Sequence, residues 1–476
     1  MSHLLYRYEL RIHAPIDPIS AVSRLARFAA FGKFVVYERD GTWTFAGGAA
    51  GEIVLDHEGF RVRWSDREHW LPFPADPARE LAQILDRAPV DDWSLFGWTS
   101  FEYAYIQAGL TGLVGAGVLQ HLVVPQVEIQ LRADGAVLRG GDRRMLDVLA
   151  DVVVLPAEEP ALQPVPFAVG NSGWEDYRAA VMAVLTDIRN KRLSKAIVSR
   201  IVPVELDIDL VSTYMVGRRG NTPSRSFLFR LDGLAAAGFS PETVVEVAHD
   251  GTVVSHPLAG TRALHLDDPA RSAQLRADLL TDPKEIFEHA ISVQSSYEEL
   301  KQICASGTVK VDGFMQVLER GSVQHLASAV GGKLKNGRGP WDAFATLFPA
   351  VTVSGVPKLA AYQAIHAYES GPRGLYSGSV LAIDSRGGLD AALVLRTVFQ
   401  RNGRTWLQAG AGIVANSTPE REFEETCEKL RSVAQFLVPA NPAAASGTEY
   451  KDDEPRTDRS RALGNLLGNP RLDART

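Results

Sequence analysis

The sequence predicts an α+β protein with a large core, and three observations lead there. Short apolar runs broken by glycine and aspartate turns fill residues 1–155 and read as strands. From 174 to about 438, helical periodicities alternate with strand-like runs. A chain of 476 residues with 45% hydrophobic content can bury a large core, as one large domain or as two to three smaller ones.

KFVVYE (33–38), WTFAG (43–47) and VVPQVEIQLRA (123–133) are rich in β-branched and aromatic residues and are expected as strands of the N-terminal part, 1–155. Prolines recur through LPAEEPALQPVPFAVGNSG (155–173), which marks 156–173 as a connection over the surface and as the internal boundary. WEDYRAAVMAVLTDIRN opens the second part, 174–438, with a helical repeat, and AIVSRIVPV (196–204) reads as the strand that follows. Residues 439–476 are small, polar and charged, and a disordered tail is expected there.

Composition removes several classes of function. Lys plus Arg number 50 against 57 Asp plus Glu, a net charge of −7, so nothing favours nucleic-acid binding through general positive charge. An anionic substrate would have to be held by local basic groups. Two cysteines, Cys304 and Cys427, are too few for a disulfide framework or a cysteine-rich zinc site, and buried free thiols are expected. MSHLLYRYELRI has no secretory-leader pattern and no run of 18 apolar residues occurs, so the expectation is a soluble cytoplasmic protein with no membrane partner. The phosphate-loop, G-x-S-x-G and H-E-x-x-H patterns are missing.

Two acidic segments stand out. In TPEREFEETCEKL (418–430), read as a helix, Phe423, Cys427 and Leu430 share one side while Glu422, Glu425 and Lys429 gather on another. The carboxylate row is either the solvated face of a surface helix or the wall of a cavity. TDPKEIFEHAISV (281–293) repeats the spacing in Glu285 and Glu288. Here Pro283 suits the first helical position, Asp282 the N-cap and Glu285 the third position of a capping box, which accounts for Glu285 but not for Glu288. Two helices that each offer a carboxylate pair can instead build an all-oxygen site for a hard divalent ion such as Mg²⁺. Spacing leaves both readings open.

GAGIVA (410–415) follows the strand-like TWLQA and formally matches a dinucleotide fingerprint, but NSTPE stands where the helix should open. It reads better as a turn whose backbone N–H groups face an anion, a carboxylate for instance. PLAGTR (257–262) can act likewise, with Thr261 adding a hydroxyl donor.

Ten stretches in order then carry a resemblance: SKAIVSR (194–200), GFSPETVV (238–245), HPLAGTRAL (256–264), DPKEIFEHAISV (282–293), ERGSVQHLAS (319–328), LFPAVTVSGVPK (347–358), PRGLYSGSV (372–380), GLDAALVLRT (388–397), LQAGAGIVANS (407–417) and PEREFEETCEKL (419–430). Together they resemble the chorismate-utilising enzymes, and within that superfamily the salicylate synthases of siderophore pathways. The resemblance implies a single large α+β domain with a β-sandwich-like core of two sheets, helices packed outside and the site between its halves.

It also implies roles. Glu288 and Glu425 would bind Mg²⁺ directly, with Glu285 and Glu422 holding its waters. A dianionic substrate can approach four carboxylates only with a cation between them. Gly260, Thr261 and Lys429 would hold the ring carboxylate of chorismate. Tyr376 and Arg396, with Gly412 and Gly410 of the glycine stretch, would hold the enolpyruvyl carboxylate. Lys195 corresponds to the base that activates a water, and Glu242, expected in the first turn of a helix, to the acid that protonates the departing hydroxyl; its pKa should be raised so that it keeps its proton. His325 is expected as a positioning residue. Thr352 and Leu395 match the salicylate-synthase choices around the pyruvyl group. Lys195 favours water over ammonia, so no glutamine amidotransferase partner is expected, and a monomer is. An isochorismate synthase that stops before pyruvate loss, an ammonia-using enzyme resembling anthranilate synthase, and a scaffold that binds without turnover are the alternatives.

Overall fold

The computed structural model describes residues 3–28, 30–156, 162–170, 172–265, 267–320 and 323–441. Two large antiparallel sheets lie face to face. One has eleven strands in the order Tyr8–Ile12, Gly135–Gly140, Val127–Arg132, Thr42–Gly47, Phe34–Arg39, Arg225–Leu231, Leu234–Ser240, Thr397–Arg401, Arg404–Ile413, Lys195–Val204 and Gly355–Val356. The other has twelve: Leu258–Ala263, Val323–Lys333, Thr252–Ser255, Thr243–Val247, Leu389–Leu393, Ser379–Asp384, Ser94–Thr99, Gln120–Val124, Gly51–Leu55, Gly59–Trp64 and Arg67–Pro72, with Lys310–Arg320 paired to Val323–Lys333. Strands from before and after the 155–173 stretch share both sheets.

Strand periodicity shows how one sequence serves two layers. Along Phe34–Arg39, Phe34 and Val36 pack against outer helices, while Val35 and Tyr37 turn inward with Phe227 of the same sheet to meet Phe96 and Trp98 of the opposite one. Both faces are covered, so the run is buried almost throughout. Helices Pro18–Arg27, Arg143–Val154, Leu210–Gly220, Pro419–Ala434, Trp174–Arg189 and Lys358–Tyr368 cover the eleven-stranded sheet, and Pro77–Asp86, Pro283–Ile303 and Pro340–Leu347 cover the other. The result is a helix–sheet–sheet–helix sandwich, as expected. Among the described residues no helix is long and apolar enough to cross a membrane. Cys304 and Cys427 are buried free thiols.

Several local readings change. VVPQVEIQLRA is not one strand: Gln120–Val124 belongs to the twelve-stranded sheet and Val127–Arg132 to the eleven-stranded one, with the crossing at Pro125, which has no N–H to give a ladder. The 156–173 connection runs over the surface as expected, with residues 162–168 exposed or half-buried, and is tied down where Val169 is buried and Arg200 donates to the Val169 and Ser172 carbonyls. Of the expected tail, Ala440 donates its N–H to the Asp207 carbonyl; residues 442–476 lie outside the described residues.

Candidate active site

Four strands and two helices carry most of the predicted residues: Lys195–Val204 (β1), Leu258–Ala263 (β2), Val323–Lys333 (β3), Arg404–Ile413 (β4), Pro283–Ile303 (α1) and Pro419–Ala434 (α2); Glu242, Thr352, Tyr376, Leu395 and Arg396 come from the segments between strands and α-helices. α1 starts where Asp282 accepts the Lys284 and Glu285 N–H groups. The capping box stays half made. The Asp282 N–H already donates to the Asp278 carbonyl, and the Glu285 carboxylate turns instead to Arg262, 2.8 Å away. α2 is capped by Thr418, and the solvated-face reading fails there: Glu422 is 0% and Glu425 7% exposed. Burial of charge on this scale requires partners.

Those partners are cations. Glu288 Oε1 lies 3.0 Å from Lys195 Nζ, which also donates to Ser292 Oγ at 3.2 Å. Glu425 pairs with Lys429 at 2.8 Å, and Lys429 in turn donates to the Gly410 carbonyl at 2.9 Å. Glu422 lies 3.2 Å from Lys284. Burial pushes the Glu422 carboxyl up to about 7, and the Glu425 charge adds to that. Burial works against Glu425 too, but Lys429 and Lys284 outweigh it and hold that carboxyl well below the ordinary range.

The glycine stretch is strand, not turn. Gly410 and Gly412 pair across from Ser199 and Ile197 of β1, yet their carbonyls accept from Lys429 and Ser417. An extended residue points its N–H the same way as its C=O, so both N–H groups face away from β1, where Gly410 and Gly412 line a cavity. The amides expected to face an anion therefore face this cavity, from a strand rather than a turn. A Cβ on Gly412 would stand 2.2 Å from Glu288 Oε1. Gly412→Ala is expected to push that carboxylate aside and lower turnover about 10²-fold while the chain stays folded, as steady-state rates and a melting curve would show. In β2 a bulge places Gly260 at φ +85°, with Glu285 beside it.

Glu242, Thr261, Glu288, His325, Tyr376, Arg396, Glu425 and Lys429 all line that same cavity, with Thr352, Leu395 and Gly260. Glu242 sits between two strands rather than in a helix turn. Burial pushes its carboxyl up to about 8, and Thr352 Oγ1 donates to it at 2.8 Å. His325 Nε2 lies 2.6 Å from Arg396 Nη2, and Nδ1 2.9 Å from Thr261 Oγ1. A guanidinium only donates, so Nε2 accepts and the ring proton sits on Nδ1. Burial and Arg396 keep the ring neutral, which makes His325 a brace between Arg396 and Thr261. Burial lowers Arg396 itself to about 10, and burial raises Tyr376. Lys195, Glu285 and Glu422 stand behind the lining; Lys195 is 0% exposed behind Glu288.

Sequence reasoning missed Lys284, Arg262 and Ser292, although all three lie inside quoted segments and, for Lys284, a basic residue beside a carboxylate pair was the available signal. A separate group of close donor atoms, Glu52, His121 and Asp232, lies apart from these residues. Lys33 and Arg63 already pair with Glu52 there, so it reads as an ion-pair network joining the sheets.

The four buried glutamates fit a hard divalent cation by donor type, and Glu422 Oε1 is buried without a hydrogen-bond partner.

A family model described as chorismate binding enzyme matches residues 34–435. A salicylate synthase of Mycolicibacterium paratuberculosis is 43% identical over 411 residues, 85% of this chain and 90% of that one. Among solved structures, anthranilate synthase component I from Streptococcus pneumoniae superposes with a TM-score of 0.70 at 22% identity, covering 83% of this chain and 92% of that one. The menaquinone-specific isochorismate synthase of Escherichia coli gives 0.69 at 20% identity, covering 91% and 96%. At those identities the two structures speak for the fold.

Proposed function

Since the chain belongs to the family of chorismate binding enzymes, we propose that it is a Mg²⁺-dependent salicylate synthase, converting chorismate to isochorismate and then to salicylate and pyruvate. The observation that carries this reading is the one cavity that gathers a buried carboxylic acid, Glu242, the cations Arg396 and Lys429, and the carboxylates Glu288 and Glu425. A bound Mg²⁺ would supply the positive charge that lets the ring carboxylate approach the glutamates.

The chain's own residues do the rest. Arg396 and Tyr376, with the Gly410 and Gly412 amides, hold the enolpyruvyl carboxylate, and His325 fixes the Arg396 guanidinium. Thr261 and Lys429 hold the ring carboxylate. Glu242, kept protonated at neutral pH by burial, gives its proton to the departing C4 hydroxyl. Lys195 Nζ, as the neutral amine and released from its ion pair with Glu288, takes a proton from the water that adds at C2. In the second step the C2 hydrogen moves to the enolpyruvyl methylene and pyruvate leaves; the pocket contributes by holding that conformer and excluding water. Water as the nucleophile makes an amidotransferase partner unnecessary, and the reading places the enzyme in the cytoplasm, feeding a siderophore or another aryl-capped product.

Incubation with chorismate and Mg²⁺, with chromatography and an EDTA control, is expected to yield salicylate and pyruvate in equal amounts. Isochorismate alone would place the enzyme among those that stop after the first step. An aminated product formed only with ammonium would remove Lys195 from the role of base.

A further inference from the structure

We infer that Lys284 is an internal competitor for the metal: its ammonium occupies the space between the two carboxylate pairs and has to leave when a divalent cation binds. This rests on the Mg²⁺ reading of the site. Lys284 Nζ lies 3.2 Å from Glu422 Oε1, 3.6 Å from Glu425 Oε2 and 3.9 Å from Glu285 Oε1. It therefore touches both helices, α1 through its own backbone and Glu285, α2 through Glu422 and Glu425.

The surrounding pairs show that this position differs from theirs. Glu285 has Arg262 at 2.8 Å, Glu288 has Lys195 at 3.0 Å and Glu425 has Lys429 at 2.8 Å. Glu422 has Lys284, and no contact from Lys284 to these carboxylates is as short as the 2.7–2.9 Å of a well-made charged hydrogen bond. The ammonium is central and loosely held. Glu422 Oε1, fully buried, accepts no well-directed hydrogen bond, since the ammonium 3.2 Å from it donates to Oε2 at 3.4 Å. Lys284 follows Pro283 in the first turn of α1, so the backbone is pinned while four methylenes leave the charge free to swing. Four glutamates balanced by four cations let the chain fold without metal; the same balance opposes a metal until one cation withdraws.

Removal of the charge should then do the opposite of ordinary damage. Wild type and Lys284→Met, each as the full chain, are titrated with MgCl₂ alone at constant ionic strength by calorimetry, and their melting temperatures are recorded with and without the ion. The variant is expected to melt lower without Mg²⁺, to bind it roughly tenfold or more tightly, and to gain more in melting temperature on binding. Lys284→Arg keeps the charge and is expected to bind no more tightly than wild type. Wild-type binding with unchanged or weaker binding in Lys284→Met overturns the inference and leaves the Mg²⁺ reading standing, as does tighter binding in Lys284→Arg should the methionine variant not fold. Binding to none of the chains overturns both.

Discussion

Glu242→Gln abolishes conversion of chorismate and leaves the protein folded. Glutamine preserves the shape, and its amide oxygen can still accept from Thr352. It cannot release a proton to a leaving hydroxyl, and loss of a positioned general acid costs about 10²–10⁴-fold in kcat. Stability should separate the two effects. The Glu242 carboxyl is pushed up to about 8 by burial, from an ordinary value of 4.5, so between those limits the folded protein holds a proton that the unfolded chain has lost. Its contribution is fully present below 4.5 and is lost as pH rises toward 8. Glutamine removes that slope: the variant should show a flatter melting temperature between pH 5 and 8 than wild type, as a scan would record. Wild-type kcat should fall as pH rises past about 8. A variant retaining kcat within a factor of about ten would take the acid role away from Glu242.

Glu288→Gln and Glu425→Gln each abolish Mg²⁺-dependent turnover, but they should differ in what else they break. A hard cation depends on charged oxygen donors, so either variant should weaken Mg²⁺ binding roughly 10²-fold or more. Glu288→Gln also strands Lys195, which is fully buried, and breaking a buried pair from one side costs about 3–5 kcal/mol. Glu425→Gln strands Lys429, whose side chain keeps 30% of its exposure and can turn to water. The melting temperature should therefore drop much further in Glu288→Gln, while both lose the response to Mg²⁺. Full activity in both variants would dismiss the two-helix metal site.

Local chemistry was legible wherever its cause was local. The helix from Trp174, the strand running to Val204 and the cap at Asp282 stand where periodicity and capping residues put them. Pairing was not, because it depends on distant strands: nothing near Pro125 says that its two sides enter different sheets, and nothing in GAGIVA says that β1 lies alongside. The i, i+3 acid pairs are identical in a solvated helix and in a buried one, so only the opposing layer decides that Glu422 and Glu425 lose their water. The candidate site is assembled from residues as far apart as Lys195, Glu242, Glu288 and Glu425, which is why motif resemblance could group them and spacing could not. Lys284 lies inside one of the ten stretches but was given no role there, and its place between the carboxylates emerged from distances.

The two acidic helices belong to opposite outer layers: α1 packs through Val293, Leu300 and Ile303 onto one sheet, α2 through Cys427, Leu430 and Val433 onto the other. A cation shared by Glu288 and Glu425 would thus act as a rivet at the place where the two helices meet, and the gap between their carboxylates would become the quantity that sets its grip. Any substitution that let the sheets splay, however far from the cavity, would be felt first as a slackening of that rivet, before the fold itself gave way.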